Sequence, residues 1–136
     1  MTRPIRNAFL ALIAVQAVHS IEEYLTRLYD RLAPARYVSG LVFADRRIGF
    51  VIFNVSLVAF GLWCWYGPIR RDTPSAAALA WFWVLLETLN GLAHATWAIR
   101  ASGYRPGLAT APLLMAAAFV LARQLMKRPP SPTGAG

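Results

Sequence analysis

The stretch IGFVIFNVSLVAFGLWCWY, residues 48–66, contains no charged side chain. As an α-helix that rises about 1.5 Å per residue, it would extend about 28 Å, close to the roughly 30 Å of hydrocarbon in a bilayer. Gly67-Pro68 follows directly, and this pair is typical of a helix end. The stretch predicts a transmembrane helix and an all-α membrane fold around it.

Three further apolar segments extend this prediction to a bundle of four transmembrane helices. Their expected bounds are about 7–27, 76–99 and 107–126. Thr73-Pro74-Ser75 predicts a capped start for the third span, whereas Pro112 is expected to interrupt the first turns of the fourth. After the first span, residues 24–45 mix apolar side chains with arginines at amphipathic spacing, which predicts a helix lying in the membrane interface.

Composition limits the other classes of protein. The 136 residues are 57% hydrophobic and 15% charged, against about 45–50% and about 25% in soluble domains, and this excludes a disordered chain. A single cysteine, Cys64, excludes a disulfide scaffold. We expect residues 1–128 to form one domain and the Pro/Gly-rich tail 129–136 to be disordered.

The net charge of +8 comes from 14 basic residues that stand in short clusters between the apolar spans. A nucleic-acid surface would present a continuous basic stripe, so we expect no nucleic-acid partner and take the lipid bilayer as the partner. A four-span topology places seven basic residues on each membrane face, so the positive-inside rule selects no orientation. Arg3 and Arg6 before the first apolar run also resemble a signal peptide, but no Ala-x-Ala cleavage pattern follows.

Few strongly polar side chains lie inside the spans. Besides Gln16, they are His19, Glu22 and Glu23 on the first span, Asn54 on the second, and Glu87, Asn90 and His94 on the third. Their spacing places each set on one helix face, and the helical rise places all of them in one layer, about 16–27 Å from the face that carries both termini. Because ionisable groups in hydrocarbon are costly, the shared layer predicts a functional site.

We expect different roles within this layer. His19 and Glu22 are predicted to transfer protons or bind a ligand, with Glu87 and His94 on the opposite side and Glu23 as a further member. The residues expected to orient a substrate are Asn54, Asn90, Trp83 and Thr110. Two structural alternatives remain: the asparagines can act as interhelical hydrogen-bond partners, and Glu23 can pair at the interface with Arg27.

Two more motifs accompany the segment His19-Ser20-Ile21-Glu22-Glu23, and together the three resemble a known family. They are Asn90-Gly91-Leu92-Ala93-His94 and Tyr104-Arg105-Pro106-Gly107. In this order, they resemble the HXXEE family of small bacterial membrane proteins, over a region from about Phe9 to Leu125. The resemblance implies a multi-pass protein of the bacterial inner (cytoplasmic) membrane. It implies no reaction, because the function of that family is uncharacterised.

Two chemistries fit the predicted layer as an enzyme. Histidine nitrogens and glutamate oxygens suit a divalent transition metal such as zinc, iron or manganese, with His19, Glu22, Glu87 and His94 as expected ligands. Without a metal, a buried carboxyl group and a neighbouring histidine can exchange protons with a lipophilic small molecule, in isomerisation, cyclisation or epoxide or ester opening. This layout is similar in kind to that of the sterol isomerase (emopamil-binding) family, as an analogy of architecture.

A transporter is the alternative. Small multidrug transporters also have four spans, a membrane-embedded glutamate and balanced basic loops, and they often form antiparallel dimers. In this interpretation Glu87 binds a proton or a cation, tryptophans supply cation–π faces, and a homodimer is the expected assembly. The additional glutamates and two histidines exceed what such a mechanism needs, so an enzyme is favoured.

Overall fold

The computed structural model describes residues 1–128, and the predicted tail 129–136 lies outside them. The chain order is α1 (Arg3–Leu25), α2 (Leu28–Arg31), α3 (Ala33–Val42), α4 (Arg46–Cys64), a π-helical turn (Trp65–Ile69), α5 (Ala76–Arg100) and α6 (Ala111–Met126). Within the described part of the chain there is no strand, so the all-α prediction is confirmed.

Three helical segments are long and apolar enough to cross a membrane: α1, α4 with its π-helical turn, and α5. The fourth apolar helix, α6, has 16 residues and is shorter than the other three. Helix α1 begins at Arg3 rather than near Asn7, and α5 begins at Ala76, as predicted. Ser75 precedes α5 but makes no side-chain capping hydrogen bond, so that part of the prediction was wrong.

Two prolines act differently from the prediction. Gly67-Pro68 does not end the second span, because the helix passes through the π-helical turn Trp65–Ile69 and continues to Arg71. Pro68 has no amide hydrogen to donate, and its ring would collide with the preceding turn of a regular α-helix. The wider π-helical turn accommodates this ring. Pro112 does not interrupt α6 but stands in its first turn, where an amide hydrogen has no helical partner in any case.

The segment after α1 forms the two short helices α2 and α3, which pack against the start of α4. The turn between α1 and α2 places Arg27 in the left-handed region, with φ of 59°. Helix α3 leaves the large side chains of Tyr37 and Leu41 exposed. This pair of short helices therefore forms an amphipathic layer beside one end of the bundle.

Helix α6 packs lengthwise against both α5 and α1. At one end of α6, the Arg128 guanidinium donates to Asp72 in the turn before α5, at 3.0 Å. At the other end, Thr110 lies beside His19 of α1. The main apolar core, which includes Phe9, Trp83 and Leu114, fills the space between these ends and leaves the polar residues at the end that carries Thr110.

Candidate functional site

Three buried side chains from two helices converge near the Thr110 end of the bundle. His19 and Glu23 of α1 and His94 of α5 are 0%, 5% and 3% exposed. The Nε2 atoms of His94 and His19 lie 2.9 Å and 3.4 Å from the same Glu23 oxygen, and the two imidazole rings are 4.9 Å apart in an edge-to-face arrangement. We call these three residues the His/Glu cluster.

The other nitrogen of His19 is tied to the start of α6. His19 Nδ1 lies 2.6 Å from the hydroxyl oxygen of Thr110, and that hydroxyl lies 2.5 Å from Glu22 Oε2. Because Thr110 donates its only hydroxyl proton to the Glu22 carboxylate, it must accept the hydrogen of His19 Nδ1. In a neutral His19 the lone pair therefore stands on Nε2, which faces Glu23.

Glu22 is outside the His/Glu cluster. Its carboxylate accepts hydrogen bonds from the Tyr104 phenol, the backbone amides of Ala109 and Thr110, and the Thr110 hydroxyl. Four donors on one carboxylate stabilise its charged form and hold the segment before α6 against α1. Glu22 thus positions Thr110, and through Thr110 it orients His19.

His94 packs against the backbone of Gly107, which has a positive φ of 83°. A Cβ atom at this position would overlap the imidazole ring of His94, so both the conformation and the close approach require glycine. Gly107 therefore helps to fix the ring of His94 in the His/Glu cluster.

Glu87 lies two turns before His94 on the same face of α5 and is 0% exposed. Neither of its carboxyl oxygens has a hydrogen-bond partner within the described residues. Trp83, one turn earlier, is also fully buried and packs edge-to-face against Phe9 in the apolar core. The structure thus places Glu87 between the His/Glu cluster and the apolar core.

The asparagines are separate from the His/Glu cluster. Asn54 of α4 accepts a hydrogen bond from the Ser20 hydroxyl at 2.8 Å, and Ser20 in turn accepts one from Gln16 at 3.1 Å. Asn54 also donates to the Phe50 carbonyl oxygen. These bonds join α1 to α4, as the structural alternative for Asn54 predicts, while Asn90 is only partly buried.

Residues 10–122 match a family model described as a protein of unknown function with an HXXEE motif. The chain belongs to the HXXEE family. No curated protein and no solved structure matches it. Within the HXXEE motif of this chain, the structure separates the two glutamates: Glu23 joins His19 in the cluster, whereas Glu22 binds the segment before α6.

The structure also gives roles to two residues outside the HXXEE motif for which the sequence predicts none. Tyr104 and Gly107 stand in the segment before α6 and contact Glu22 and His94 respectively. In the sequence, these two residues belong to the Tyr-x-Pro-Gly segment. That segment supports the family resemblance, but it does not predict which side chains the two residues contact. The interfacial alternative for Glu23 is wrong, because Glu23 pairs with the two histidines rather than with Arg27.

The His/Glu cluster has the donors of a metal site. One nitrogen from each histidine and one Glu23 oxygen all lie within 4.8 Å of one another. Ligands of a tetrahedral zinc ion, each about 2.0–2.1 Å from the metal, are separated by about 3.3 Å, close to the 3.4 Å between His19 and Glu23. Thr110, held by Glu22, bonds the other ring nitrogen of His19, and such a hydrogen bond commonly orients a metal-binding histidine. Glu22 and Glu87 are not part of this donor set.

An apolar groove of about 360 Å³ lies on the other side of α1, between α1 and α4. Its lining residues are Ala17, Ser20, Ile21, Tyr24, Phe50, Val51, Asn54, Val55 and Val58. The groove lies at the level of the His/Glu cluster, because Ser20 follows His19 and Tyr24 follows Glu23 along α1. Ser20, Asn54 and the Tyr24 hydroxyl are the polar groups among its lining side chains.

Proposed function

We propose that this protein is an integral membrane enzyme that transfers protons to and from a lipophilic small molecule at the His/Glu cluster, which holds either a proton or a divalent transition metal. The observation that carries the proposal is the lone pair of His19 Nε2 facing a carboxylate oxygen of Glu23. Two acceptors at this separation repel each other unless a cation lies between them. The cluster therefore suits a proton or a metal ion at this position.

Each residue of the cluster has a role in the proposed reaction. His19 is the general base, because its Nδ1 is held by Thr110 and its Nε2 is free to accept a proton. Glu23 stabilises the protonated imidazole, and His94 donates to Glu23 from the opposite side. A metal held by these three residues would take the place of these protons, with His19 Nε2 as a ligand rather than the base, and would act as a Lewis acid with one open position. Isomerisation, cyclisation and epoxide or ester opening all require such proton transfers.

The surroundings support a lipophilic substrate. The helices that carry the cluster are long and apolar enough to cross a membrane, whereas the groove between α1 and α4 lies on the other side of α1 and no cluster residue lines it. A lipid-soluble molecule can approach a site between such helices from the bilayer, whereas a charged metabolite would lose its hydration. Glu87 supplies a further buried carboxyl group on the same face of α5 as His94.

We infer that α6 is the fourth membrane crossing. Its 16 residues extend about 24 Å, less than the hydrocarbon thickness of about 30 Å. The non-helical segment from Gly107 to Thr110 extends from the start of α6 toward Tyr104. Glu22 of α1 accepts hydrogen bonds from two backbone amides of this segment, those of Ala109 and Thr110. Irregular backbone is tolerated at membrane depth when protein groups bond it in this way. This topology is the one expected for a multi-pass protein of the bacterial inner membrane.

Metal analysis tests which residues form the site. We expect the protein, purified in mild detergent and reloaded with Zn²⁺ or Co²⁺, to retain about one metal ion per chain. Glu23→Gln and His94→Ala should lose the metal, whereas Glu87→Gln, also buried and on α5, should retain it. Thr110→Val should weaken the affinity about 10–100-fold, because it releases the second nitrogen of His19. Equal metal content in wild type and Glu23→Gln would refute this donor set.

Deuterium exchange tests the chemistry without knowledge of the substrate. Proteoliposomes incubated in D₂O with a bacterial lipid extract should introduce solvent deuterium into one class of lipophilic molecule, detected by mass spectrometry. His19→Ala should abolish the incorporation, and the exposed substitution Ser56→Ala should not change it. Turnover that persists in His19→Ala would exclude His19 as the base, whether or not the metal is present.

A proton-coupled multidrug-type transporter is the second candidate, and Glu87 is the observation that favours it. A fully buried carboxyl group without a partner is the kind of group that exchanges a proton for a cation during transport. Proteoliposomes would then show proton flux that depends on a lipophilic cation and disappears in Glu87→Gln. Absence of this flux, with deuterium incorporation intact, would favour the enzyme.

A further inference from the structure

A second, open cleft of about 910 Å³ lies where α2 and α3 meet the start of α4, away from the His/Glu cluster. Its charged lining residues are Arg27, Arg36, Arg46, Arg47, Asp30 and Asp45. Four cations thus face two carboxylates, which leaves an excess of two positive charges. We call this feature the arginine cleft.

The two carboxylates are already engaged. Asp30 lies 3.6 Å from the guanidinium of Arg46, and Asp45 accepts the backbone amide of Arg47 as the N-cap of α4. Arg27 and Arg36 form no salt bridge within the described residues 1–128. Two guanidinium groups in the arginine cleft are therefore available to an anionic ligand.

The position of Arg27 supports such a role. Arg27 adopts the left-handed conformation at the turn between α1 and α2, with φ of 59°. For a residue with a Cβ atom this conformation is less favourable than the right-handed region. Glycine would avoid that cost, but only a long basic side chain supplies a cation to the cleft from this turn.

Apolar side chains flank the cations. Tyr37 and Leu41 of α3 line the same cleft and are 69% and 68% exposed. An anionic ligand without an apolar part would leave both side chains in water. A ligand with a negative head and hydrocarbon chains would satisfy the guanidinium groups and cover the apolar side chains together.

We propose that the arginine cleft binds the phosphate group of an anionic glycerophospholipid whose acyl chains lie against Tyr37 and Leu41. Guanidinium groups bind phosphate oxygens in bidentate geometry, which suits Arg27 and Arg36, the two arginines of the cleft that form no salt bridge within the described residues. The site is independent of the proposed enzyme activity, because none of the cluster residues lines it. It also anchors α2 and α3 in the interface.

Native mass spectrometry on the full chain in detergent micelles tests the proposal. We expect bound phosphatidylglycerol in preference to phosphatidylcholine. The double variant Arg27→Gln/Arg36→Gln should weaken phosphatidylglycerol binding at least tenfold, since each arginine near an anionic surface contributes measurably to binding. The matched control is Arg70→Gln/Arg71→Gln at the other end of the bundle, which removes the same charge and should leave the binding unchanged.

Further measurements distinguish a phospholipid from a free phosphate as the ligand. Tyr37→Ser/Leu41→Ser should weaken phosphatidylglycerol binding but leave binding of inorganic phosphate and glycerol 3-phosphate unchanged. Inorganic phosphate that binds as tightly as the lipid would overturn the lipid assignment. Equal losses in the Arg27/Arg36 and Arg70/Arg71 variants would overturn the site itself. An unchanged elution volume and an unchanged helical circular dichroism spectrum in each variant show that the chain is folded.

Discussion

Glu22 and Glu23 are adjacent in sequence, but they face different parts of the structure. Successive side chains on an α-helix point about 100° apart, so neighbours cannot both face one partner. Glu23 points at the two imidazole rings, while Glu22 points at the segment before α6. Glu23 therefore belongs to the cluster, whereas Glu22 holds His19 in position through Thr110.

Gly107 carries a prediction at the scale of one residue. Gly107→Ala should destabilise the protein by about 2–4 kcal/mol, from the positive φ and from the overlap of its Cβ atom with His94. It should also weaken metal binding, because the ring of His94 must move. Gly103→Ala in the same loop is the control, since the nearest atom to a Cβ there is 3.9 Å away. Equal thermal stability of the two variants would contradict the prediction.

Tyr104 predicts a pH dependence. Desolvation and the hydrogen bond that its phenol donates to Glu22 raise the pKa of Tyr104 to about 12. Because the pKa is raised, the neutral phenol stabilises the loop below the ordinary value of about 10, and this contribution is lost as the pH rises through about 12. The side chain is 52% exposed, so solvent screens part of the effect.

An absorbance titration of tyrosinate measures this shift. The difference between the curves of wild type and Tyr104→Phe isolates Tyr104 from the other tyrosines. We expect its midpoint well above pH 10, and Glu22→Gln should lower that midpoint. A difference curve centred at the ordinary value in wild type would show that the hydrogen bond to Glu22 is absent.

At the scale of elements, the hydrogen bonds that join α1 to α4 are separate from the His/Glu cluster. Ser20 and Asn54 should couple by about 0.6 kcal/mol in a double-mutant cycle with alanine, the average for interhelical hydrogen bonds in membranes. Unfolding in mixed detergent micelles measures this coupling, and Ser56→Ala with Asn54→Ala is the uncoupled control. Metal binding should not change. A coupling energy near zero would show that the bond does not support the packing of these helices.

The two prolines show what local patterns can predict at this scale. Both prolines identify positions where regular helical geometry changes, as the sequence indicates. Whether a helix ends, widens or begins at a proline depends on the neighbouring packing. Pro68 is buried among other helices, so a π-helical turn maintains the span, whereas Pro112 follows a loop that Glu22 holds and therefore begins α6.

At the scale of the molecule, the four-span topology predicts the side of each loop. The single native cysteine, Cys64, is buried and should label weakly with a membrane-impermeant maleimide. In the proposed four-span topology α6 returns the chain across the bilayer, so Thr2→Cys and Lys127→Cys should label from the same side and Ser102→Cys from the other. Labelling of Lys127→Cys from the side of Ser102→Cys would show that α6 does not cross. Wild-type protein measures the background.

The sequence by itself determined the helical class, the apolar segments and the level of most polar residues along them. These are local properties: composition decides which segments favour hydrocarbon, and the rise per residue converts position into depth. His19 and His94 could be predicted to share a layer on this basis, and the structure brings their rings together.

Only the tertiary structure decided which polar residues meet within that layer. Partners depend on the rotation of each helix about its axis and on loops that fold back, and neither is encoded in local spacing. For this reason Glu23 rather than Glu22 joins the histidines. Glu87 lies two helical turns before His94 and outside the cluster, and Asn54 accepts a hydrogen bond from Ser20 of α1. The contact of Thr110 with His19 links residues 91 positions apart in the chain, and it orients the nitrogen on which the proposed chemistry depends.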